Sequence, residues 1–347
     1  MRVLTVNVGS SSVKLALVAG GVAEPLPDSL DEALRGPPPD AVAHRVVHGG
    51  PREGAVAVDQ RVLAELHALS ELAPLHQPPA LDAVSRCRAA WPEVPNVACF
   101  DTAFHRTIPV AATTYALPAR LRATVRGYGF HGLSYAWVAT RLAELAPDAR
   151  RVLVAHLGSG QSLCGLLDGR SAVTTMGFTP LDGLVMATRC GNLDPGAVLW
   201  LQRHTDEDLN LVLERESGLV GLCGTADLGV ARRRAAEGDA DARLAVDVWR
   251  TRLVALAGGC VAALGGLDAV AFTGGIGEHD PAARAALLDG LAWLGAGADD
   301  VDRTPVGNTR EITARGARVR SFVVRAREDL RLAGEAEALL GAGRPAG

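Results

Sequence analysis

Two stretches of the chain, 149 residues apart, carry the same succession of apolar and polar positions. Val3 to Val18 reads VLTVNVGSSSVKLALV, and Val152 to Leu167 reads VLVAHLGSGQSLCGLL. In each, an apolar run meets Gly-Ser at the seventh and eighth positions, passes through small polar residues and resumes as a second apolar run. Each predicts a strand, a tight turn and a returning strand. Repetition at this distance predicts two similar domains that open on the same hairpin.

The rest of the chain alternates in kind. Residues 20–40, with GGVAEPLPDSL and RGPPPD, read as loop. AVAHRVVHGG and NVACFDTAF read as buried strands ending in polar loops, with a helix near Asp59–Ala73 between them. After Asp168-Gly169 the chain turns back as a third strand into TTMGFTPLDG, and residues 240–265 predict a long Ala/Leu/Val-rich helix. DAVAFTGGIGEHDPAARAALLDGLAWLG predicts a strand, a Gly-rich loop and a helix with Asp280 as N-cap and Pro281 at its first position. A last helix runs from about Arg327. Strands alternating with helices make the chain α/β.

At 347 residues the chain is long for one hydrophobic core, which again favours two domains. It is 48% hydrophobic and 21% charged, as an ordinary soluble globular protein is. A net charge of -4 argues against a dedicated nucleic-acid or membrane-surface binder. Six cysteines (87, 99, 164, 190, 223, 260) show neither CxxC pairing nor metal-ligand spacing and read as reduced thiols of a cytosolic protein. Residues 1–20 open as a strand, not a leader, and no apolar run reaches the ~20 residues of a membrane span. A soluble, cytoplasmic protein is expected.

GYGFHG (127–132) matches GxGxxG, but no βαβ unit with a ribose-binding acid follows, so a dinucleotide fold is not indicated. There is no GxxxxGK[ST]. The two hairpin turns make a better phosphate cradle, because successive backbone N–H groups in a small-residue bend bind anions and serine hydroxyls add donors. Either turn alone reads equally well as a plain hairpin. FTGGIGE (272–278) sits between a strand and a helix, bare enough for a flat base to lie against the backbone. Charged and imidazole groups crowd into strand-end loops: Arg45, His76, Asp101, His131, His156 and Arg189. Singly such residues are structural hydrogen-bonders more often than not. Six in Gly/Pro-flanked loops point to chemistry, and their spacing is poor for a metal cluster.

Taken in order, VNVGSSSVK, HRVVHGG, LAPLHQPP, FDTAFH, YGFHGLS, HLGSG, MGFTPLDGL, TRCGNLDPG and FTGGIGE closely resemble the acetate kinase family, of the sugar kinase/Hsp70/actin superfamily. The resemblance covers most of the chain from Ala41 to Asp329. It implies two duplicated actin-like (ribonuclease H-like) α/β domains with an interdomain cleft that closes on ATP: residues 1–101 with a returning C-terminal helix 330–347, and residues 102–329. It also implies a homodimer through the second domain. The implied reaction is reversible phosphoryl transfer between ATP and acetate, giving acetyl phosphate and ADP, with Mg²⁺ or Mn²⁺. No nucleic acid or membrane partner is expected.

Residue by residue, the resemblance implies that Arg45 and Arg189 bracket the acetate carboxylate and the transferring phosphoryl group. His131 donates to that phosphoryl, with His76 nearby, and Asp101 organises the site. Val47, Leu75, Phe130 and Pro180 form the pocket for the substrate methyl. Asn7 and Glu328 lie at the metal. Lys14 and Ser12 belong to the first phosphate hairpin, while His156, Gly158, Ser159 and Gly160 hold ATP phosphates. Gly274, Gly275, Ile276, Gly277 and Glu278 receive the adenosine, with Asp227 beside them.

Several positions depart from the family pattern. Residues 19–40 are shorter than usual, Ser159 replaces Asn, Gly229 replaces the Arg of an Asp-x-Arg pattern, His279 replaces Asn, and Arg327 replaces an Asn before Glu328. Two other readings stay open: a propionate or butyrate kinase, and a non-catalytic nucleotide-binding relative.

Overall fold

The computed structural model describes residues 1–9, 13–299 and 309–342. The chain divides into two units. The first comprises Met1–Arg106, Phe130–Trp137 and Arg327–Gly347; the second comprises Thr107–Gly129 and Val138–Ala326. The expected division differed at its edges. Thr102–Arg106 belongs with the first unit because it continues the last parallel strand into a 3-10 turn, Ala103–Thr107, anchored by the buried His105. Phe130–Trp137 also belongs there, because Leu133 packs in the same apolar cluster as Val3, Ala41 and Val97.

In the first unit six strands form one sheet: β1 (Arg2–Val8), β2 (Val13–Ala19), β3 (Val22–Leu26), β4 (Ala41–Val46), β5 (Val56–Ala57) and β6 (Asn96–Phe100). Their order is β3-β2-β1-β4-β6-β5. The hairpin β1/β2 and its neighbour β3 are antiparallel, whereas β1, β4 and β6 run parallel. Parallel strands covered on both faces read as unbroken apolar runs, and AVAHRV and NVACF are almost wholly buried. The helix Gln77–Ala90 covers one face, with Ala80, Ala83 and Cys87 against Leu4, Val6 and Val42. The C-terminal helix Glu328–Gly341 covers the other, with Leu332, Ala333 and Ala336 against Val3, Ala41 and Ala43.

The second unit repeats the plan. Its strands are β7 (Arg151–Leu157), β8 (Gln161–Leu167), β9 (Arg170–Thr174), β10 (Ala269–Thr273), β11 (Arg310–Glu311) and β12 (Arg320–Val323), in the order β11-β12-β10-β7-β8-β9. The meander β7/β8/β9 corresponds to β1/β2/β3, and the parallel β7, β10 and β12 to β1, β4 and β6. The 25-residue helix Ala240–Leu264 packs on this sheet through Trp249, Leu253, Ala257 and Val261. Trp249 Nε1 donates to Gln161 Oε1 at 2.9 Å, so the one polar edge of a large buried ring is satisfied.

Some local expectations change. Residues 20–40, expected as loop, contain β3 and one helical turn, Leu30–Ala33. β3 is an edge strand, where a proline is tolerated, and Pro25 lies opposite Ala16 of β2. The Gly-rich segment after β10 is not a loop: Gly274–His279 is a short helix, followed by Pro281–Gly290 with Asp280 capping Ala283 N–H at 3.0 Å. The helix expected near Asp59–Ala73 is shorter, Gln60–His67, followed by a 3-10 turn at Ser70–Leu72. No helix among the described residues is long and apolar enough to cross a membrane.

Candidate active site

In the first unit the carboxyl ends of three adjacent strands deliver one charged cluster. Asn7 lies near the end of β1, Arg45 near the end of β4, and Asp101 directly after β6. The parallel registers Val6↔His44 and Arg45↔Cys99 put them side by side, and Asp101 N–H donates to the Val46 carbonyl at 3.3 Å. Arg45 forks onto Asp101: Nη2 donates to Oδ2 at 2.6 Å, and Nε donates to Oδ2 at 3.1 Å and Oδ1 at 3.3 Å. Its remaining arm, Nη1, donates to Asn7 Oδ1 at 3.2 Å and lies 3.8 Å from Glu328 Oε2. Asn7 Nδ2 closes the ring by donating to the same Glu328 oxygen at 2.6 Å. Glu328 opens the C-terminal helix, and its neighbour Arg327 forks onto Asp329.

Burial works against charge on both members of the central pair. It would lower the Arg45 guanidinium, but Asp101 and Glu328 beside it raise it above its ordinary value. Burial raises the Asp101 carboxyl, opposed by Arg45 and by a hydrogen bond from Leu133 N–H. A two-point guanidinium–carboxylate fork at these distances keeps both ionised at neutral pH.

Asp101 also sets the place of His131. Its carbonyl accepts Gly132 N–H at 3.0 Å, at the start of the helix Gly132–Leu145. A Cβ on Gly132 would lie 2.0 Å from that carbonyl oxygen, so only glycine fits. His131, just before it, holds a left-handed backbone with φ 57. A non-glycine residue in that region carries strain that the surrounding structure must sustain. Phe130 is buried, edge-on to His48 at 6.0 Å, and its carbonyl contacts His105 Nε2 at 2.8 Å.

The expected pocket residues are placed differently from one another. Val47 is buried, and Leu75 is half-buried ahead of the Gln77–Ala90 helix, whose N-cap position is held by His76. Gln77 was not singled out by its sequence, yet it locks the His48–Gly50 bend. Its Oε1 accepts His48 N–H at 3.0 Å and its Nε2 donates to the His48 carbonyl at 2.9 Å. Lys14 is exposed on β2 opposite Asn7. Ser12 lies outside the described residues.

The second unit gathers its own set at the ends of β7 and β10. His156 pairs in register with Thr273, and the turn Gly158–Gly160 follows β7. Gly274, with φ 80, sits so close that a Cβ would lie 2.7 Å from the Leu157 carbonyl and 3.3 Å from His156 Nε2. The two Gly-rich segments therefore adjoin. Gly275 is exposed and Ile276 half-buried, while Gly277 and Glu278 are buried. Glu278 Oε1 accepts Ala326 N–H at 2.9 Å, and burial raises its carboxyl. Asp227 caps the helix Leu228–Ala236 by accepting Val230 N–H at 2.9 Å, with Gly229 beside it. Ala187 N–H donates to the Ser159 carbonyl at 3.2 Å, which ties the Gly158–Gly160 turn to the Arg189 segment. Arg189 Nη1 donates to the Pro180 carbonyl at 3.2 Å.

Among the described residues no group of three or more His, Cys, Asp or Glu gathers to hold a metal ion. Asn7 and Glu328 carry oxygens of the kind a hard divalent cation takes, although here the Asn7 oxygen accepts from Arg45 Nη1 and the Glu328 oxygen from Asn7 Nδ2. They offer an amide oxygen and a carboxylate, and Mg²⁺ commonly takes one or two carboxylates and completes its shell with water and phosphate oxygens.

The arrangement is thus a carboxylate-braced arginine in one unit, and a Gly-rich turn beside the start of a Gly-rich helix at parallel strand ends in the other. A model describing the acetokinase family matches residues 38–334. The chain belongs to the acetokinase family. It is 44% identical over 315 residues to an acetate kinase of Clavibacter sepedonicus, covering 88% of this chain and 79% of that protein. Among solved structures it resembles a propionate kinase from Francisella tularensis subsp. tularensis SCHU S4 with a TM-score of 0.85 and 32% identity, over 96% of this chain and 98% of the other. It resembles the Porphyromonas gingivalis acetate kinase with a TM-score of 0.86 and 28% identity, over 98% and 99% of the two chains. The duplicated actin-like α/β architecture expected from the acetokinase resemblance is the one the structure has. Membership carries with it ATP as co-substrate and a divalent cation.

Proposed function

We propose that the chain is an acetate kinase that moves the γ-phosphoryl group of ATP directly onto an acetate oxygen. The new P–O bond forms in line as the bond to the β-phosphate bridging oxygen breaks, and ADP leaves with that electron pair. Acetate is already ionised at neutral pH, so no general base is needed. What the protein must supply is alignment and positive charge against two anions.

The observation that carries this reading is the Arg45 fork on buried Asp101. It holds a guanidinium rigid at a strand end, where it takes the carboxylate and the equatorial phosphoryl oxygens. Arg189 supplies the second guanidinium and His131 a third donor. The family resemblance assigns Val47, Leu75, Phe130 and Pro180 to the substrate methyl, and His76 to the catalytic group. The Gly158–Gly160 turn with His156 takes the ATP phosphates. The family resemblance also assigns Lys14 and Ser12 to ATP, and Gly274–Glu278 with Asp227 to the adenosine. Asn7 and Glu328 would hold Mg²⁺, which would supply positive charge against the phosphates.

The same reading makes the enzyme a homodimer through its second unit, which exposes Leu199 and Trp200 of one helix and Leu211 of the next. It also makes it cytoplasmic, in keeping with six free cysteines, five of them buried. Hydroxamate trapping of acetyl phosphate from ATP, Mg²⁺ and acetate tests the function. Wild type should form product and Arg45→Ala should lose it at least a hundredfold. ATP binding with no acyl phosphate formed would instead favour a non-catalytic nucleotide-binding relative.

A further inference from the structure

A cavity of about 150 Å³ lies within the second unit, against Gly177 and Asp182 on either side of Pro180 in the chain. It is lined in part by Thr113, Tyr115, Tyr128, Met176, Gly177 and Asp182. Gly177 is its hub. The Gly177 carbonyl accepts N–H groups from Tyr128 at 2.9 Å and Gly129 at 3.3 Å, and the next N–H, that of Phe178, donates to Tyr115 Oη at 3.0 Å. The Asp182 carboxylate accepts the N–H of Gly177 and, at 2.9 Å, that of Gly183. A Cβ at Gly177 would lie 2.2 Å from Tyr115 Oη and 2.5 Å from Asp182 Oδ2, so both oxygens occupy the space a side chain would fill.

These contacts hold both ends of one loop. Pro180 lies between the pinned residues 177–178 and 182–183, and its carbonyl is the acceptor that steadies Arg189 Nη1. Asn192 ties the far end again: its Oδ1 accepts Gly183 N–H at 2.8 Å, and its N–H donates to the Gly183 carbonyl at 2.9 Å. Phe178 also rests its ring on Tyr128, 6.3 Å between centroids. The excursion 107–129 is therefore a buttress. Its polar contacts are half-buried, and burial raises both the Asp182 carboxyl and the Tyr115 hydroxyl.

We propose that Tyr115 and Asp182 are positioning residues that set the Pro180–Arg189 loop of the second unit, and that removing either lets the loop shift toward the adjoining cavity and relaxes the preference for a short acyl chain. The proposal rests on the reading of Pro180 and Arg189 given above. Loss of the Tyr115 hydroxyl leaves the half-buried Phe178 N–H without its acceptor, which loosens that end of the loop. One methylene in an apolar pocket changes specificity by about 10- to 200-fold, so a small retreat of Pro180 is visible in the acyl preference.

The test compares wild type, Tyr115→Phe and Asp182→Asn, with acetate and propionate as acceptors and ATP as donor. Both variants keep side-chain volume, and either suffices if the other fails to fold. Each should raise the acetate KM about tenfold while the ATP KM stays within about twofold. The propionate-to-acetate ratio of kcat/KM should rise at least about threefold. A lowered melting temperature with unchanged acetate KM and unchanged ratio would overturn the proposal and leave the kinase reading standing. A wild-type enzyme that forms no acyl phosphate would overturn both.

Discussion

Replacing Asp101 by Asn separates the electrostatic brace from the fold that carries it. The carboxylate accepts from two nitrogens of the Arg45 fork, Nε and Nη2, and from Leu133 N–H. An amide has one oxygen. Turned toward Arg45 it presents its NH₂ to Leu133 N–H; turned the other way it presents NH₂ to the guanidinium. One donor loses its acceptor in either case. A charge-assisted hydrogen bond is worth about 1.5–3 kcal/mol, but a buried neutral amide costs less to desolvate than a carboxylate. The net loss of stability should then be about 1–2 kcal/mol, and the protein should stay folded. Catalysis should suffer more. With its brace weakened, Arg45 is drawn toward Glu328, 3.8 Å from Nη1, and a ~1 Å misplacement of a positioning group costs about 100-fold. That corresponds to about 2.7 kcal/mol of barrier. Acetyl hydroxamate formation should show kcat reduced at least about 100-fold, with the ATP KM unchanged and a thermal melt only a few degrees lower. An Asp101→Asn enzyme with more than about a third of wild-type kcat would refute the brace, whatever its melting temperature.

Three further outcomes follow from the same geometry. Gly132→Ala should fail to fold or lose the active arrangement, since its Cβ would meet the Asp101 carbonyl at 2.0 Å; a soluble, fully active variant by circular dichroism and turnover would contradict the placement of His131. Gly274→Ala should weaken ADP binding by calorimetry at least about tenfold, because the residue needs φ 80 and crowds Leu157, whereas the acetate KM should hold. Acid should destabilise the first unit. His44, His48 and His105 are each lowered by burial from 6.5 to about 4, so the unfolded chain binds more protons between those values and stability falls as pH drops from about 6.5 to about 4. Urea melts at pH 7 and pH 5 check this, and equal midpoints would count against it.

Much of this architecture was legible in the chain. The two hairpins announced themselves because apolar alternation and a Gly-Ser turn are local signals, and the strand-end charges stood out because they interrupt apolar runs at Arg45 and Asp101. What stayed hidden depends on distance in sequence. Tyr115 meets Phe178 across 63 residues and His48 meets Gln77 across 29, and no local pattern encodes either contact. β3 was masked by Pro25, which disfavours an interior strand but not an edge one. The Gly274–His279 helix was masked by three glycines, whose weak propensity is overridden where Gly277 and Glu278 are buried. Asp227 illustrates the converse: a residue assigned by resemblance to nucleotide binding is also engaged as a helix N-cap.

The central claim is that Arg45 and Arg189 serve one phosphoryl transfer between an acyl carboxylate and a nucleotide. The most direct measurement is ATP formation from acetyl phosphate, ADP and Mg²⁺ in wild type, Arg45→Ala and Arg189→Ala, with propionyl phosphate run alongside. The account predicts fast ATP formation in wild type, highest with acetyl phosphate, and a loss of at least about 100-fold in each variant while ADP still binds. Undiminished ATP formation in either folded variant, or none in wild type that binds ADP, would contradict it.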